Sequence, residues 1–557
     1  MCSGNIKLFL LFFILILIGD FFGQSCPNIS TFFGTSQVDE FKGVCNDHKG
    51  NIYAFGNTYN NDLPVTAGAF QSTLNADYES FLVKMDSCGN LIWCTYFGTN
   101  GFDFGEKIVY SPYDSSIVFT GYTDGNDLAT TASCFQPTNN GNYDAFLAKF
   151  DLAGQPKWIT YFGDAQGDFS FDVTIDNHAN ILIGGTTLSP TLYTTSQSFQ
   201  STLGGAVDSY IAKFDKNGSF KFSTFYGGTN AEDIHKIKCD NDRNIIAVGG
   251  SFSNNLNTSA SCFQPSSNGG MEIYLIKFDS IGNRIFSTYI GGSALDDCYG
   301  LEVDSQQNIY LFGHTESNDF YYTAVSQQTV VNGMADNYAM KLSSVGAMQW
   351  SNIYGGVGQD LAVSSAMDEN ENLFFLSNSQ SSDFPMTGVA NNTVHAGSND
   401  MVISKLNTNG NILFSTYHGG SGDDQGTGLT LLNNKVIVSG FTGSANFPVV
   451  TGNFQTVIGG QSDGFISTIV TPVAINLGQK KLNNLGNLCE AYFTNNRITH
   501  HCTEKGMIEI YDLNGKLVYS ADLSDAVILE QLNIGQIYYI LVKDNQNQIV
   551  AKAKFIK

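Results

Sequence analysis

A short string of residues, clearest as Ser-Thr-Tyr-Phe/Ile-Gly-Gly, recurs seven times and constrains this chain's fold more than any other feature. The copies are Ser30–Gly34, Cys94–Gly98, Ile159–Gly163, Ser223–Gly227, Ser287–Gly291, Ser351–Gly355 and Ser415–Gly419. Their second positions advance by 64, 65, 64, 64, 64 and 64 residues. A fixed period over most of a chain marks a repeat architecture, in which each unit buries its apolar face against its neighbours.

Each unit reads as four short strands, a to d. In the first, Phe41–Asn46 is strand a and Asp47-His48-Lys49-Gly50 a turn. Asn51–Thr58 is strand b, and a loop of about twenty residues leads to strand c at Glu79–Asp86. A turn at Ser87-Cys88-Gly89-Asn90 leads to strand d, Leu91–Gly98. Period-2 runs bounded by Asp, Gly and Asn are the strand signal. Four strands in each of seven units predict an all-β fold, a seven-bladed β-propeller over residues 26–473. A β-helix is the alternative, but its much shorter rungs would not need two hairpins per period.

The phase of the repeat adds a constraint. The first string has no strands a, b or c before it, and the last unit, ending at Asp463–Val470, has no strand d after it. Residues 29–34 are therefore expected to supply the outer strand of the seventh blade, leaving no open edge at the seam. Four or five backbone hydrogen bonds at roughly 0.5–1.5 kcal/mol each would favour that closure.

Hydrophobic residues are 42% and aromatics 13% of the 557, enough to build cores and to exclude a disordered chain. Lys7 followed by the apolar run Leu8–Ile18 reads as a secretory signal over residues 1–25, too short to span a bilayer. A membrane anchor or lipidation at Cys26 are the alternatives, and no integral membrane segment is expected after cleavage. Net charge is −24; residues 1–25 are neutral and those after 473 carry +1, so the repeat region holds −25. Such a surface excludes nucleic acid and anionic lipid as partners and favours cations or basic ones. Ten of the 11 cysteines lie beyond the signal, an even number compatible with disulfides in an exported protein. Cys88 with Cys94 and Cys489 with Cys502 are the candidate pairs, whereas Cys134 and Cys262 are two units apart.

Two acidic positions recur in every unit. One lies eight residues after the Thr of the string: Asp39, Asp103, Asp168, Glu232, Asp296, Asp360 and Asp424. The other opens strand c: Glu79, Asp144, Asp208, Glu272, Asp336, Asp400 and Asp463, with a Lys five residues on in six units. They form either a cation-binding ring or a scaffold of turn caps and Lys–carboxylate pairs between blades. Perfect repetition favours scaffold, because an active site needs one constellation. By chain direction the d-to-a and b-to-c connections share one face, expected to be acidic and loop-rich. Its long b-to-c loops, such as Thr187–Gln200 and Ser379–Asn399, differ most between units and are where binding is expected.

Asp144-Ala145-Phe146-Leu147-Ala148-Lys149-Phe150-Asp151, leading to Trp158 and Thr160-Tyr161-Phe162-Gly163, resembles the bacterial β-propeller repeat called SBBP. Asn308–Thr315 and Asn51–Thr58 are similar to that repeat's Gly-Asn-Ile-Tyr-Val-Thr-Gly-Tyr-Thr stretch. The resemblance covers about residues 29–473 and implies fold without chemistry. After Val473 the period stops, and the polar stretch 474–505 reads as a linker and the entry to a further domain. Glu509–Val518 is a strand–Asn-Gly–strand hairpin. With Gly535-Gln536-Ile537-Tyr538 and the Lys-rich ending at Lys557, residues 506–557 resemble the type A C-terminal sorting domain of type IX secretion, a small β-sandwich. Tyr511, Gly515, Gly535, Tyr538 and Lys557 carry that likeness. A Pro-Asn-Pro opening is missing near Ala491–Asn496, and a generic immunoglobulin-like adhesive domain is the alternative. The resemblance implies the type IX secretion machinery as a partner.

No catalytic motif stands out. The three arginines, Arg243, Arg284 and Arg497, do not form the cluster a propeller sialidase needs for its carboxylate. Trp93, Trp158 and Trp350 share one strand-d position with Phe222, Phe286 and Phe414, which reads as core. The eight histidines are scattered, and only His500-His501-Cys502 cluster. Asp240 and Asp242 are the candidates for a bound Ca²⁺, yet their loop lacks an EF-hand's Gly and distal Glu and matches the a-to-b turn of sister units. The expectation is a non-catalytic, cofactor-free binding or adhesion module, secreted or on the cell surface, whose partner is an extracellular glycan or protein. A propeller hydrolase or lyase with a site on the acidic face, and a structural surface or motility component, are the alternatives. A pocket on that face with two unrepeated carboxylates or a His would speak for the enzyme, and a flat aromatic groove for binding.

Overall fold

The computed structural model describes residues 28–471 apart from 197, 324–327, 388–389, 433–434 and 451–453. Beyond 471 it describes 473–475, 490–494, 497–501, 506–512, 517–522, 527–528, 537–544 and 549–556. The expected signal segment 1–25, Cys26, Cys489 and Cys502 lie outside the described residues. Among the described residues all regular elements are strands, and no helix is long and apolar enough to cross a membrane.

Seven four-stranded antiparallel sheets follow one another as the blades of a propeller. Blade 1 is Asp39–Asn46, Ile52–Thr58, Glu79–Met85 and Leu91–Phe97, within two residues of the bounds read from the sequence. Strand a of each blade touches strand a of both neighbours, and the ring closes between Asp424–Leu432 and Asp39–Asn46. Blade 7 takes Asp424–Leu432, Lys435–Thr442 and Asp463–Val470 from the end of the repeat and Ser30–Phe33 from its beginning. Ser30 lies opposite Ser467 and Phe33 opposite Gly464. The expected strand exchange is therefore present, and it is not only a backbone ladder. Phe33 is fully buried and stacks on Phe81 of blade 1 (5.6 Å) and Phe454 of blade 7 (5.6 Å).

Neighbouring blades interlock through the Trp/Phe position of strand d. Trp93 Nε1 donates to the Leu152 carbonyl (3.1 Å), Trp158 to that of Lys216 (3.1 Å) and Trp350 to that of Thr408 (2.9 Å), each in the next blade's c-to-d turn. A glycine at positive φ in that turn lies under the ring: Gly154 (83°), Gly218 (84°) and Gly410 (80°). The reading of these rings as core is thus sharpened to a wedge between blades.

The strand-c lysines correct a second expectation. They do not pair with carboxylates of neighbouring blades. Lys149, Lys213, Lys277, Lys341 and Lys405 pair with Asp114, Asp176, Asp240, Asp304 and Asp368 of the a-to-b turn in their own blade, at 2.6–3.1 Å. The link to the next blade is to a carbonyl, as in Lys84 to Leu152 (2.9 Å) and Lys213 to Ser280 (3.2 Å). Five residues along a strand span about 17 Å, so the strand-c acid and its Lys sit at opposite ends of the blade.

Cys88 is disulfide-bonded while Cys94 is a free buried thiol, so the candidate pair Cys88–Cys94 does not form. Cys45, Cys134, Cys239, Cys262 and Cys298 are also free. Downstream, the stretch read as a linker and entry to the last domain contains strands. Glu490–Thr494 and Arg497–His501 pair with each other across Asn495-Asn496, and the first pairs with Val473–Ile475. Aromatic and β-branched residues on both sides of a two-residue separation form a hairpin. His500 and His501 are strand residues there. A second sheet orders Leu517–Asp522, Gly506–Asp512, Ile537–Asp544 and Ile549–Ile556, which contains the expected hairpin. Tyr511 lies opposite Tyr539, and Tyr538 opposite Asp512; Gly515, Gly535 and Lys557 fall outside the described residues.

Replacing Phe33 by Ala removes a ring packed by both blades at the seam and should destabilise the propeller by about 3–5 kcal/mol. Denaturant unfolding measures this, and a loss below about 1 kcal/mol would show that the closure contributes little.

Candidate functional site

The fourteen repeated acids come first, because they decide what the loop-rich face presents. They do not present a charged ring to solvent. Asp39, Asp103, Asp168, Asp296, Asp360 and Asp424 have no exposed surface, and Glu232 only 1%. Each accepts the backbone N–H four residues earlier, as Asp39 Oδ2 does from Thr35 (2.7 Å) and Asp296 Oδ2 from Gly292 (2.6 Å). The hydroxyl closing strand b donates to the other oxygen, as Thr58 does to Asp39 and Thr315 to Asp296 (both 2.5 Å). The strand-c acids likewise cap the loop before them, as Asp144 does for the Asn140 N–H (2.9 Å).

Between the two acids of each joint lies the glycine that ends the string. A Cβ on Gly98 would stand 2.3 Å from Asp103 Oδ2 and 2.4 Å from Glu79 Cγ. On Gly291 it would meet Glu272 and Asp296 at 2.8 and 2.9 Å. The glycine backbone fills the gap in which a cation would have to sit, and only Gly fits it. Burial raises Asp39, Asp103, Asp168, Glu232, Asp296, Asp360 and the strand-c acids above their ordinary range, with the facing acid adding to the effect at several joints. Asp103, Glu79 and Asp144 are pushed up to about 7, and Asp168, Asp296 and Asp336 to about 6.

The candidate calcium ligands are committed elsewhere. Asp240 pairs with Lys277 (2.9 Å) and accepts from the backbone of Asp242 (2.9 Å) and from backbone and side chain of Asn244 (both 2.8 Å). Asp242 Oδ2 accepts from Gln307 (2.6 Å). Among the described residues no three His, Cys, Asp or Glu side chains gather as metal ligands.

The b-to-c loops are also less free than their sequences suggest. A glutamine eight residues before the strand-c acid anchors most of them. Gln136 donates to Asp144 Oδ2 (2.6 Å), accepts the Gly163 N–H (2.9 Å), and its own N–H donates to Thr160 Oγ1 (2.9 Å). Gln71, Gln200, Gln264, Gln328 and Gln455 stand at the same place, donating to Glu79, Asp208, Glu272, Asp336 and Asp463. This anchor was legible as a recurring Phe-Gln at Phe70-Gln71, Phe135-Gln136, Phe199-Gln200, Phe263-Gln264 and Phe454-Gln455.

The unrepeated chemistry lies instead on strand a, around the central channel. Strand a carries a β-bulge at the third residue after its acid in six blades, at Lys42, Glu106, Phe171, Tyr299, Val363 and Thr427. A bulge re-aims a side chain and loosens the ladder. In blade 4 the disturbance goes further: strand a is only Lys236–Cys239, and the equivalent residue, His235, precedes it. These seven residues line one cavity of about 940 Å³ at the loop-rich mouth of the channel. They are Lys, Glu, Phe, His, Tyr, Val and Thr, seven different side chains at one repeat position. Sequence reasoning missed this site, although that variation at a fixed offset from an invariant acid was its signal.

Two zones divide the mouth. On one side His235 Nδ1 meets Asp297 (3.0 Å), its Nε2 meets Asp233 (3.3 Å), and its ring stacks on Tyr299 (4.4 Å, 13°). Tyr299 stacks in turn on His314 (5.7 Å, 9°), so two of the scattered histidines belong to one site. Burial works against a charged His235, but Asp297 and Asp233 outweigh it and push its pKa up to about 10. Opposite, burial and the nearby Glu40 push Glu106 up to about 7 against the pull of Lys42 and Lys236.

The second zone is aromatic. Phe171 stacks on Phe169 (6.4 Å, 6°), which meets Tyr122 edge-on (4.9 Å). Tyr122 stacks on Phe104 (4.7 Å, 15°), followed by Tyr78 (5.1 Å) and Tyr59 (4.5 Å). The path runs unbroken from the channel in blade 3 across blade 2 to Tyr59 in blade 1, which is 48% exposed.

A family profile for the SBBP beta-propeller repeat matches residues 157–190 and 285–321. Uncharacterized WD repeat-containing protein L264 of Acanthamoeba polyphaga mimivirus is 25% identical over 50% of this chain and 24% of its own length. Regulatory protein FlaEY of Caulobacter vibrioides is 24% identical over 49% of this chain and 29% of its own. The chain thus spans under a third of these curated relatives. Among solved structures, a PL25 ulvan lyase bound to a GlcA–Rha3S saccharide is 8% identical, with a TM-score of 0.38 over 74% of this chain and 92% of its own. The phage phi92 endosialidase is 8% identical, with a TM-score of 0.36 over 96% and 89%.

The raised carboxyls set a pH dependence. Their folded pKa values lie above ordinary carboxyl values of 3.8 and 4.5 and reach about 7, so between those limits the folded chain binds more protons than the unfolded one. Stability from these groups is then fully present near pH 4 and lost as pH rises through 7. His418, pushed down to about 4 by burial, and His314, also lowered by burial, oppose this with two groups. The melting temperature should therefore be higher at pH 5.5 than at pH 8; a flat or rising profile across that interval would contradict the assignment.

Proposed function

We propose that this protein is an exported β-propeller that captures an extended ligand, a glycan chain, at the loop-rich mouth of its channel. The observation that carries the reading is the unrepeated aromatic path from Phe171 to Tyr59, which opens from a cavity also lined by Glu40, Lys42, Glu106 and His235. Aromatic faces with a few placed polar groups in a concave site are the usual make-up of a ligand pocket. A folded protein partner needs roughly 800 Å² of matched surface on each side, whereas a cavity of about 940 Å³ suits a single chain. Sugar rings would lie along the aromatic path, with their hydroxyls facing the carboxylates and lysines.

One observation favours a second reading, the hydrolase or lyase. Glu106, pushed up to about 7, could hold or release a proton at neutral pH, and the mouth contains both unrepeated carboxylates and His235. New reducing ends or unsaturated products after incubation with a bound oligosaccharide would establish turnover.

The Y122A/F169A double variant breaks the path at its centre. Calorimetric titration with an oligosaccharide panel should show weakening of about 10–100-fold relative to the unchanged protein. Absence of any saccharide binding by the unchanged protein, or equal binding by the variant, would remove the reading.

Export rests on the N-terminal apolar run and on the likeness of residues 506–557 to sorting domains of type IX secretion. Deletion of residues 506–557 should leave the protein in the periplasm; normal surface display would exclude that route.

A further inference from the structure

Below the mouth the channel narrows to an inner cavity of about 360 Å³ lined by strand-a residues of all seven blades. Lys107 and Lys236 border both spaces, so they stand at the neck between them. At the same repeat position, the fourth after the acid, blades 2, 3 and 4 carry Lys107, Asp172 and Lys236, while the other four carry Gly43, Gly300, Ser364 and Gly428. The neck is therefore charged on one side only.

The charged groups that face one another there are not all satisfied. Lys238 is committed to Glu302 at 2.6 Å, and Lys42 to Glu40 at 3.1 Å. Neither Lys107 nor Lys236 has an ion-pair partner within 4.0 Å among the described residues. Asp172, 4% exposed, accepts the Ile237 N–H at Oδ2 (2.9 Å), but its Oδ1 is buried without a hydrogen-bond partner among the described residues. Burial and the like charges of Lys236 and Lys238 depress the Lys107 ammonium, with Asp172 and Glu302 pulling the other way. Lys107 and Lys236 are half-buried, whereas a buried acceptor such as Asp172 Oδ1 left unmade is costly, and native structures retain one where a ligand, ion or water completes it. Two unpaired ammonium groups and one open carboxylate oxygen are complementary to a group that carries an anion and a hydroxyl donor together.

We propose that the neck is an acidic-sugar subsite: Lys107 and Lys236 hold the anionic group of a saccharide whose hydroxyl donates to Asp172 Oδ1. The proposal rests on the glycan reading of the mouth and specifies the ligand's charge. A carboxylate and a sulfate ester present the same anionic oxygens to two ammonium groups. The bound end of the chain would enter the inner cavity, whose walls at the next repeat position are Val44, Ile108, Val173, Ile237, Leu301, Ser365 and Leu429.

The test titrates the full chain with three probes, a hexagalacturonate, a sulfated galactan hexamer and neutral xylohexaose, at low and high salt. The unchanged protein should bind an acidic probe more tightly than xylohexaose, with affinity falling as salt rises. K107M/K236M should lose about 10–100-fold for that probe and lose its salt dependence, while losing less for xylohexaose, which has no anionic group. The galacturonate and sulfated arms tell carboxylate from sulfate. Thermal melts of K107M/K236M check folding, and the single variant K236M, expected to lose part of the affinity, replaces it if the pair unfolds. Equal affinity for acidic and neutral probes, or unchanged binding by the lysine variants, overturns the subsite while Y122A/F169A still reports on the aromatic path. Loss in the lysine variants with no loss in Y122A/F169A sustains the subsite and overturns the path, and no binding of any probe overturns both.

Discussion

The joint between consecutive blades depends on two buried carboxyl groups closing around one glycine. At the second joint, Glu79 ends one blade's loop, Asp103 begins the next blade, and the backbone of Gly98 lies between them. Carboxyl groups without exposed surface are tolerated only where backbone N–H and hydroxyl groups meet them, and here the donors come from the loops the blade must hold in place. The acid is thus a clamp that sets where strand d stops and the next strand a starts. Seven such clamps at a nearly constant spacing make a ring.

Closure of that ring explains why the period can be so regular without making the molecule uniform. Strand exchange at Ser30–Phe33 pairs the first residues of the repeat with its last strand and puts Phe33 between blades 1 and 7. The Trp or Phe wedge over a positive-φ glycine repeats the contact at five joints of the ring. With clamps, wedges and closure carrying the packing, strand a is released from strict sequence demands at its bulge. A bulged residue owes little to the ladder, so Lys42, Glu106, Phe171, Tyr299, Val363 and Thr427 can differ without breaking a blade, and His235 stands before the shortened strand a of blade 4.

Much of the scaffold was legible in the residues. Strand bounds, blade number and the exchanged strand followed from period and phase. The repeated acids were legible as scaffold, but their partners were not. Lys149 and Lys213 turn toward their own blades' a-to-b turns, a matter of strand length that spacing alone does not express. The loops looked variable because their residues on either side of the recurring Phe-Gln differ from unit to unit. The histidines looked scattered because His235 and His314 are 79 positions apart, and only adjacent blades bring both against Tyr299.

By itself the sequence determined the architecture, because a repeat propagates one local pattern of alternation, turns and small residues, and such patterns are written in neighbouring positions. It also favoured the ring over the site for whatever every unit carries. The tertiary structure alone decided where the unrepeated residues meet. One side chain from each of seven blades is about 64 positions from the next, and they converge only because the closed ring turns every strand a toward a common axis. The aromatic path, the His–Tyr–His stack and the unpaired Lys107 and Lys236 are products of that convergence.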